Sequence, residues 1–231
     1  GLQEQLIRRL NETGKPTVVI IISGRPLSVR YAAEHVPAIV NAWEPGQYGG
    51  QAIAEILYGK VNPSAKLAMT MPRHVGQIST WYNHKRSAFF HPAVCTNNTP
   101  LYPFGHGLSY TTFRYSNLQL NKASIPNDGK TPVTASVTIE NTGKRDGVEI
   151  CQLYINDVVT SVARPVKELK DFRRVALKAG EKRTIEFTIT PDKLAFYDIN
   201  LKPIVEPGTF EVLVGGSSRD EDLQKATFNV Q

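Results

Sequence analysis

The spacing of apolar residues divides the chain into two regions. In the first region, residues 17–22 form a continuous β-branched run, which is typical of a strand buried on both faces. Residues 38–43 predict a second buried strand, and residues 28–35 between the two strands have helical spacing. A helix over residues 51–59 follows, with Gly59 as its C-cap. This alternation of strand and helix favours a parallel sheet with helices on its faces.

In the second region, apolar residues recur at every second position. Residues 133–140 alternate between apolar and polar side chains, and later runs repeat that pattern. Turn signals such as the Asn-Asp-Gly sequence at residues 127–129 separate the runs. Several short strands at this spacing indicate an antiparallel β-sandwich. The sequence therefore predicts an α/β domain with a junction segment over residues 1–112 and a β-sandwich over residues 113–231.

The chain begins inside a predicted amphipathic helix. Leu2, Leu6 and Leu10 have helical spacing, and no initiator Met or signal-peptide core precedes them. We therefore expect a fragment of a longer polypeptide or a processed chain. No apolar run approaches the roughly 20 residues that a membrane-spanning helix needs, so we expect a soluble chain without a membrane partner.

The positive charge of the chain is spread thinly. The net charge is +6, and it arises in residues 1–115, which hold 11 basic and 5 acidic residues, whereas residues 116–231 hold 16 of each. Nucleic-acid-binding proteins usually concentrate basic residues in a stripe with interleaved aromatic side chains. We therefore expect no nucleic-acid partner.

The residues that could carry chemistry form no self-contained active site. There is no phosphate-binding loop, GxSxG elbow, HExxH motif or Cys/His cluster. Gly46, Gly49 and Gly50 are interpreted as a tight strand-to-helix turn, because their spacing does not fit the dinucleotide fingerprint. Cys95 and Cys151 are expected to be free and structural.

Several strings of the chain resemble glycoside hydrolase family 3. Residues 43–52 and 57–67 are similar to the family's C-terminal α/β domain, and residues 102–113 are similar to its junction with a fibronectin type III-like domain. Residues 163–172 and 206–210 resemble that last domain. The resemblance covers essentially the whole chain. It implies a partial parallel α/β sandwich domain followed by an immunoglobulin-like (fibronectin type III-like) β-sandwich.

The resemblance implies a retaining enzyme that hydrolyses terminal β-linked sugars from oligosaccharides or glycosides. Glucose is the first choice for this sugar, and xylose is the second. Such chemistry needs two carboxyl groups about 5–5.5 Å apart, so the resemblance implies no metal and no organic cofactor. In the family the nucleophile is an Asp on an N-terminal TIM-type barrel, and the acid/base is a Glu shortly before the helix that opens this chain. We therefore expect no catalytic residue in this chain and expect activity only together with the barrel.

Two candidates for the substrate rim follow the second predicted strand. Trp43 and Glu44 lie where the ligand crevices of parallel sheets form, outside the carboxyl end of a strand. The alternative for Trp43 is a core position, and the alternative for Glu44 is an architectural loop. The other carboxylates of this region are interpreted as solvated surface groups: Glu4, Glu12, Glu34 and Glu55.

Four further rim candidates lie in a loop of polar and aromatic character, a composition that often lines sites. They are Trp81, Tyr82, His84 and Arg86. The alternative is that this loop packs against the barrel. His106 in the FGHGLSY segment is interpreted as a structural, hydrogen-bonded residue.

A second function stays open at this point, a non-catalytic carbohydrate-binding or interaction module that kept the fold without the barrel. The resemblance also leaves room for a homodimer. Family members that digest plant polysaccharide are commonly periplasmic or secreted, so we expect one of these locations.

Overall fold

The computed structural model describes residues 1–77, 80–86 and 99–231, and Cys95 lies outside them. The described residues form two compact units. The first unit contains residues 1–61, 69–77, 80 and 99–103. The second unit contains residues 62–68, 81–86 and 104–231. Three segments that precede residue 112, namely 62–68, 81–86 and 104–111, therefore belong to the same unit as the sandwich, and the division of the chain at that residue stays a prediction.

The first unit contains the predicted alternation of helix and strand. Its elements are α1 (Leu2–Glu12), β1 (Val18–Ile22), α2 (Arg30–His35), β2 (Ala38–Trp43) and α3 (Gly49–Leu57). Strands β1 and β2 pair in parallel, as predicted. The Gly49 N–H donates a hydrogen bond to the Gly46 carbonyl at 3.1 Å, which confirms a tight turn before α3.

Strand β1 differs from its prediction on one face. Ile21 is buried, whereas Val18, Ile20 and Ile22 are exposed. The prediction that β1 is buried on both faces is therefore wrong for the described residues, because β1 pairs only with β2 there and no described element covers its other face. The prediction that β2 is a second buried strand is wrong there as well, since none of its residues is buried. The apolar side of α1, formed by its leucines, is exposed as well.

The second unit is a two-sheet β-sandwich. Its long strands are β3 (Phe113–Leu120), β5 (Val133–Asn141), β6 (Gly147–Asp157), β7 (Glu168–Leu177), β8 (Lys182–Ile189), β11 (Gly208–Gly215) and β12 (Leu223–Val230). Its short elements are β4 (Ser124–Ile125), α4 (Pro191–Leu194), β9 (Phe196–Tyr197), β10 (Pro203–Ile204) and a 3₁₀ turn (Asp220–Asp222). One sheet has the order β3-β5-β8, and the other has the order β4-β12-β11-β6-β7.

Alternation along the strands builds the core between the two sheets. Every second residue of β5, from Val133 to Ile139, is fully buried, as the period of two predicts. Phe210 and Phe228 on β11 and β12 stack with ring centroids 5.6 Å apart in the same core. Cys151 is a free, buried thiol in this core, and burial raises its pKa.

Strand β6 departs from the half-buried pattern because both of its faces are covered. Every residue from Cys151 to Asp157 is buried. The side chains that alternate with the core residues would face solvent in a free-standing sandwich. Instead, Tyr154 packs in a second apolar cluster with Leu213 and Leu223, against which Tyr82 and Phe104 also pack. The sandwich therefore has a third layer over one sheet, built from chain segments that precede β3.

Gly105 allows this third layer to approach the sheet closely. Its φ is +79°, and a Cβ at this position would lie 2.2 Å from the Gln152 side-chain oxygen. The Gln152 amide donates hydrogen bonds to the carbonyl oxygens of Gly105 at 3.3 Å and Gly216 at 2.7 Å, and its oxygen accepts one from Tyr154. A side chain at residue 105 would therefore displace a buried amide that is already fully used.

The Gly105→Ala variant tests this close approach against Gly129→Ala, a matched control. Gly129 also has a positive φ, +65°, but nothing lies within 4 Å of its added Cβ. We expect Gly129→Ala to lower the free energy of unfolding by about 1–2 kcal/mol through backbone strain alone. Gly105→Ala should lose about 1–3 kcal/mol more because of overpacking. Urea unfolding measures both variants, and equal losses would contradict the close packing of Gly105 on Gln152.

Candidate functional site

Trp43 ends β2 in an uncommon backbone conformation. Its φ is +52°, in the left-handed region that bulky side chains seldom occupy. The pairing of β1 with β2 shifts at this point, because Ile21 lies opposite Asn41 and Ile22 lies opposite Trp43. The Trp43 carbonyl accepts a hydrogen bond from the Ser23 N–H at 3.0 Å, which holds the two strand ends together. Such outliers concentrate at functional sites, so the backbone favours Trp43 as a rim residue.

Glu44 is exposed at the same edge of the parallel pair. Its Oε1 atom lies 2.7 Å from the position that a Cβ on Gly24 would take, so the carboxylate rests over the loop that follows β1. The carboxyl ends of β1 and β2 meet here, which is where ligand crevices form in parallel sheets. The structure therefore brings Trp43 and Glu44 together at one strand edge of the first unit.

The other acidic residues before residue 60 are engaged in surface ion pairs. The pairs and their N–O distances are Glu4–Arg8 (2.6 Å), Glu12–Arg9 (3.1 Å), Glu34–Arg30 (2.8 Å) and Glu55–Lys60 (2.7 Å). The hydrogen bond from Arg30 lowers the pKa of Glu34, and the one from Lys60 lowers the pKa of Glu55. These ionised groups fit the interpretation as solvated surface.

Tyr82 fixes the aromatic loop on the second unit. Its ring stacks on Phe104 with centroids 4.4 Å apart and meets Tyr154 edge-on at 5.7 Å. Its hydroxyl oxygen accepts a hydrogen bond from the Leu169 N–H of β7 at 3.2 Å. The neighbouring Trp81 remains 68% exposed. In this loop Tyr82 therefore packs against the sandwich, whereas the aromatic side chain of Trp81 is available to a ligand.

The next residues of the loop are also attached to the sandwich. The His84 carbonyl accepts a hydrogen bond from the Val166 N–H at 3.0 Å, and Lys85 forms an isolated antiparallel bridge with Pro165. The Arg86 Nη2 atom donates to the Val158 carbonyl at 3.1 Å.

The partners of this loop were not predicted from the sequence. The signal that could have identified them is the run Cys151–Ile155, which lacks the clear alternation of a strand with one solvated face.

A groove of about 730 Å³ on the second unit has polar side chains in its wall that bind one another. Lys66 pairs with the buried Glu149 at 3.1 Å and donates to the Gly107 carbonyl at 2.9 Å. The Tyr115 hydroxyl donates to Glu149 at 2.9 Å, and burial raises the Tyr115 pKa. Burial, then the charge of nearby Arg219, lowers the pKa of His106 in the same groove. Lys66, Glu149 and Tyr115 bind one another, which fits a structural role.

One acidic residue of the sandwich has a raised pKa. The Asp157 carboxylate is buried, lies 3.3 Å from Arg164 and has a pKa raised to about 6, because burial outweighs the neighbouring guanidinium. Arg164 also pairs with Glu168 and lies over the Phe196 ring at 4.8 Å. The guanidinium contacts both carboxyl groups, so the cluster is an ion-pair network and not a pair of reacting acids.

Two family models match the chain in succession. Residues 1–110 match the model described as the glycosyl hydrolase family 3 C-terminal domain, and residues 149–218 match the fibronectin type III-like domain. These matches agree with the two folds, an α/β unit and a β-sandwich. No helix of the described residues is long and apolar enough to cross a membrane.

Relatives of known name align with nearly all of the chain. A β-xylosidase of Formosa agariphila is 43% identical, and the alignment covers 100% of this chain and 32% of the relative. A periplasmic β-glucosidase of Salmonella typhimurium is 43% identical over 94% of this chain and 29% of its own length. The chain thus spans about a third of the length of the relatives it matches.

Solved structures show the same relation. A β-glucosidase from Erythrobacter marinus has a TM-score of 0.94 and 43% identity, over 100% of this chain and 30% of that one. A β-glucosidase from Listeria innocua in complex with glucose has a TM-score of 0.88 and 38% identity, over 99% of this chain and 32% of that one.

The raised pKa of Asp157 predicts a pH dependence that Asp157→Asn should remove. Because the folded pKa of about 6 lies above the ordinary value of 3.8, the folded state binds an extra proton between these values. The stabilising contribution of Asp157 is therefore complete below pH 3.8 and is lost as the pH rises through 6. We expect urea unfolding to show that the original chain loses stability relative to Asp157→Asn over this range. A relative gain with rising pH would mean that Arg164 lowers the pKa instead.

Proposed function

The chain belongs to glycoside hydrolase family 3, and we propose that it is the C-terminal part of a retaining β-glycosidase. The proposed reaction is hydrolysis of a terminal β-linked sugar from oligosaccharides or glycosides, with glucose as the first choice for that sugar and xylose as the second. The observation that carries this proposal is the order of the two domain matches along a chain that aligns almost entirely with β-xylosidase and β-glucosidase relatives.

We place the nucleophile and the acid/base outside this chain. A retaining mechanism needs two carboxyl groups about 5–5.5 Å apart, one to form the covalent intermediate and one to transfer the proton. Four of the five acidic side chains before residue 60 are held in surface ion pairs, and Glu44 alone is left at a strand edge. This chain would then contribute walls to the site and no reacting group.

The proposed partner is the N-terminal barrel of the same enzyme, with the oligosaccharide as substrate. Support comes from the apolar surface of the first unit, where Val18, Ile20 and Ile22 of β1 and the leucines of α1 are exposed. Contiguous exposed apolar side chains usually mark surfaces that another protein segment covers. We propose a periplasmic or secreted location for this protein, and the name of the Salmonella typhimurium relative supports the periplasmic one.

The rim residues stay proposals, and each unit presents its own set. In the first unit, Trp43 and Glu44 share a strand edge. In the second unit, the loop presents Trp81 to solvent, while Tyr82 is turned toward the sheet. Aromatic faces give sugar rings an apolar platform, so Trp81 is the residue of this loop that we expect to meet substrate directly.

Activity measurements on this chain and on the complete enzyme test whether the catalytic carboxylates lie outside this chain. We expect the 231-residue chain to show no turnover of aryl β-glucosides or aryl β-xylosides, because the nucleophile is absent, and the complete enzyme to hydrolyse at least one of them. Turnover by the purified chain, free of host glycosidase, would contradict the placement of the carboxylates. An inactive complete enzyme that still binds oligosaccharide would favour the non-catalytic module.

Trp81→Ala in the complete enzyme tests the rim. Loss of an exposed aromatic platform should raise KM about 3- to 10-fold and leave the melting temperature nearly unchanged, because the side chain adds little to the core. Phe172→Ala is the matched control, since Phe172 is another exposed aromatic residue of the second unit. An unchanged KM with a lowered melting temperature would mean that Trp81 serves packing.

A further inference from the structure

The loop from Trp81 to Arg86 is attached to the sandwich at successive residues. Tyr82 inserts its ring between Phe104 and Tyr154, with centroids 4.4 Å and 5.7 Å away. Stacked and edge-on rings at these distances attract beyond the burial of their surface. Tyr154 is fully buried beneath this contact. The ring of Tyr82 is therefore a fixed point of the loop.

The hydroxyl group of Tyr82 adds a directional contact to edge strand β7. It accepts the Leu169 N–H at 3.2 Å. The ladder between β6 and β7 shifts register between Leu153 and Tyr154, and Leu169 lies opposite Tyr154. The loop therefore binds the edge strand where the regular ladder is interrupted.

Three further contacts continue the attachment along the loop. The His84 carbonyl accepts the Val166 N–H, Lys85 bridges Pro165, and the Arg86 guanidinium donates to a carbonyl of the β6–β7 connection. Trp81, one residue before the fixed ring, is the member of the loop with a largely free aromatic side chain.

We propose that Tyr82 is a positioning residue, which fixes Trp81 on the sandwich as a rigid platform for a sugar ring of the substrate. The assignment rests on the proposed function in that Trp81 meets substrate. A preformed platform spares the ligand the cost of ordering the loop on binding. The sandwich then contributes to catalysis by holding the loop from Trp81 to Arg86 in place, although it supplies no reacting group.

Kinetics of Tyr82→Phe in the complete enzyme test this role. The variant keeps the stacked ring and removes only the acceptor for Leu169. Because the platform binds the ground state and the transition state alike, we expect KM to rise about 3- to 10-fold with kcat unchanged. Tyr154→Phe is the matched control: it removes a buried hydroxyl of the same cluster, which donates to Gln152, and should leave KM unchanged. An equal rise of KM in both variants would overturn a specific positioning role.

The order of Trp81 itself gives a readout that does not depend on activity. The chain has two tryptophans, so Trp43→Phe leaves Trp81 as the fluorescent reporter. We expect Tyr82→Phe, and more so Tyr82→Ala, to speed the nanosecond decay of Trp81 fluorescence anisotropy, and Tyr154→Phe to leave it unchanged. Unchanged decay in both Tyr82 variants would overturn the anchoring, whatever the kinetics show.

The two measurements separate the inference from the function on which it rests. Faster anisotropy decay with an unchanged KM in an active enzyme would overturn the contact between Trp81 and substrate. Faster decay in this chain, together with a complete protein that lacks glycosidase activity, would overturn the proposed function while leaving the anchoring in place.

Discussion

The burial of the outer face of β6 is the constraint on which the second unit depends. A two-sheet sandwich normally leaves the outer face of each sheet to solvent, and polar side chains occupy it. Here Tyr154 and Gln152 occupy that face, and both are buried. A buried amide and a buried hydroxyl are stable only when they are hydrogen-bonded, so segments from elsewhere in the chain must supply both cover and partners. Tyr82 and the backbone around Gly105 supply them.

This constraint links the sandwich to the proposed catalysis. The loop that closes β6 also presents Trp81, so the stability of the third layer and the placement of a proposed rim residue have the same physical origin. In the first unit, the left-handed conformation of Trp43 directs Glu44 over the loop after β1 at the edge where ligand crevices form. In the second unit a packing residue, Tyr82, thus stands directly beside Trp81, which a ligand could reach.

Local patterns in the sequence predict the elements well, because they depend on neighbouring residues. The alternation around Val137 and the turn at Gly46 are both found, and the resemblance agrees with the family and the two folds. Periodicity could not predict the third layer, because Tyr82 and Tyr154 are far apart in sequence and a pattern in one strand does not identify its cover. The exposed face of β1 was not predicted, because an apolar run shows which residues can be buried and does not show which element covers them.

Amide hydrogen exchange of Leu169 tests the covered face of β6 most directly. Its N–H lies on an edge strand and is donated to the Tyr82 hydroxyl, so it is sheltered only while the third layer is closed. We expect it to exchange as slowly as the amide of Val137 in the core strand β5. Exchange as fast as that of the exposed turn residue Gly129 would contradict the closed layer and the positioning of Trp81 that follows from it.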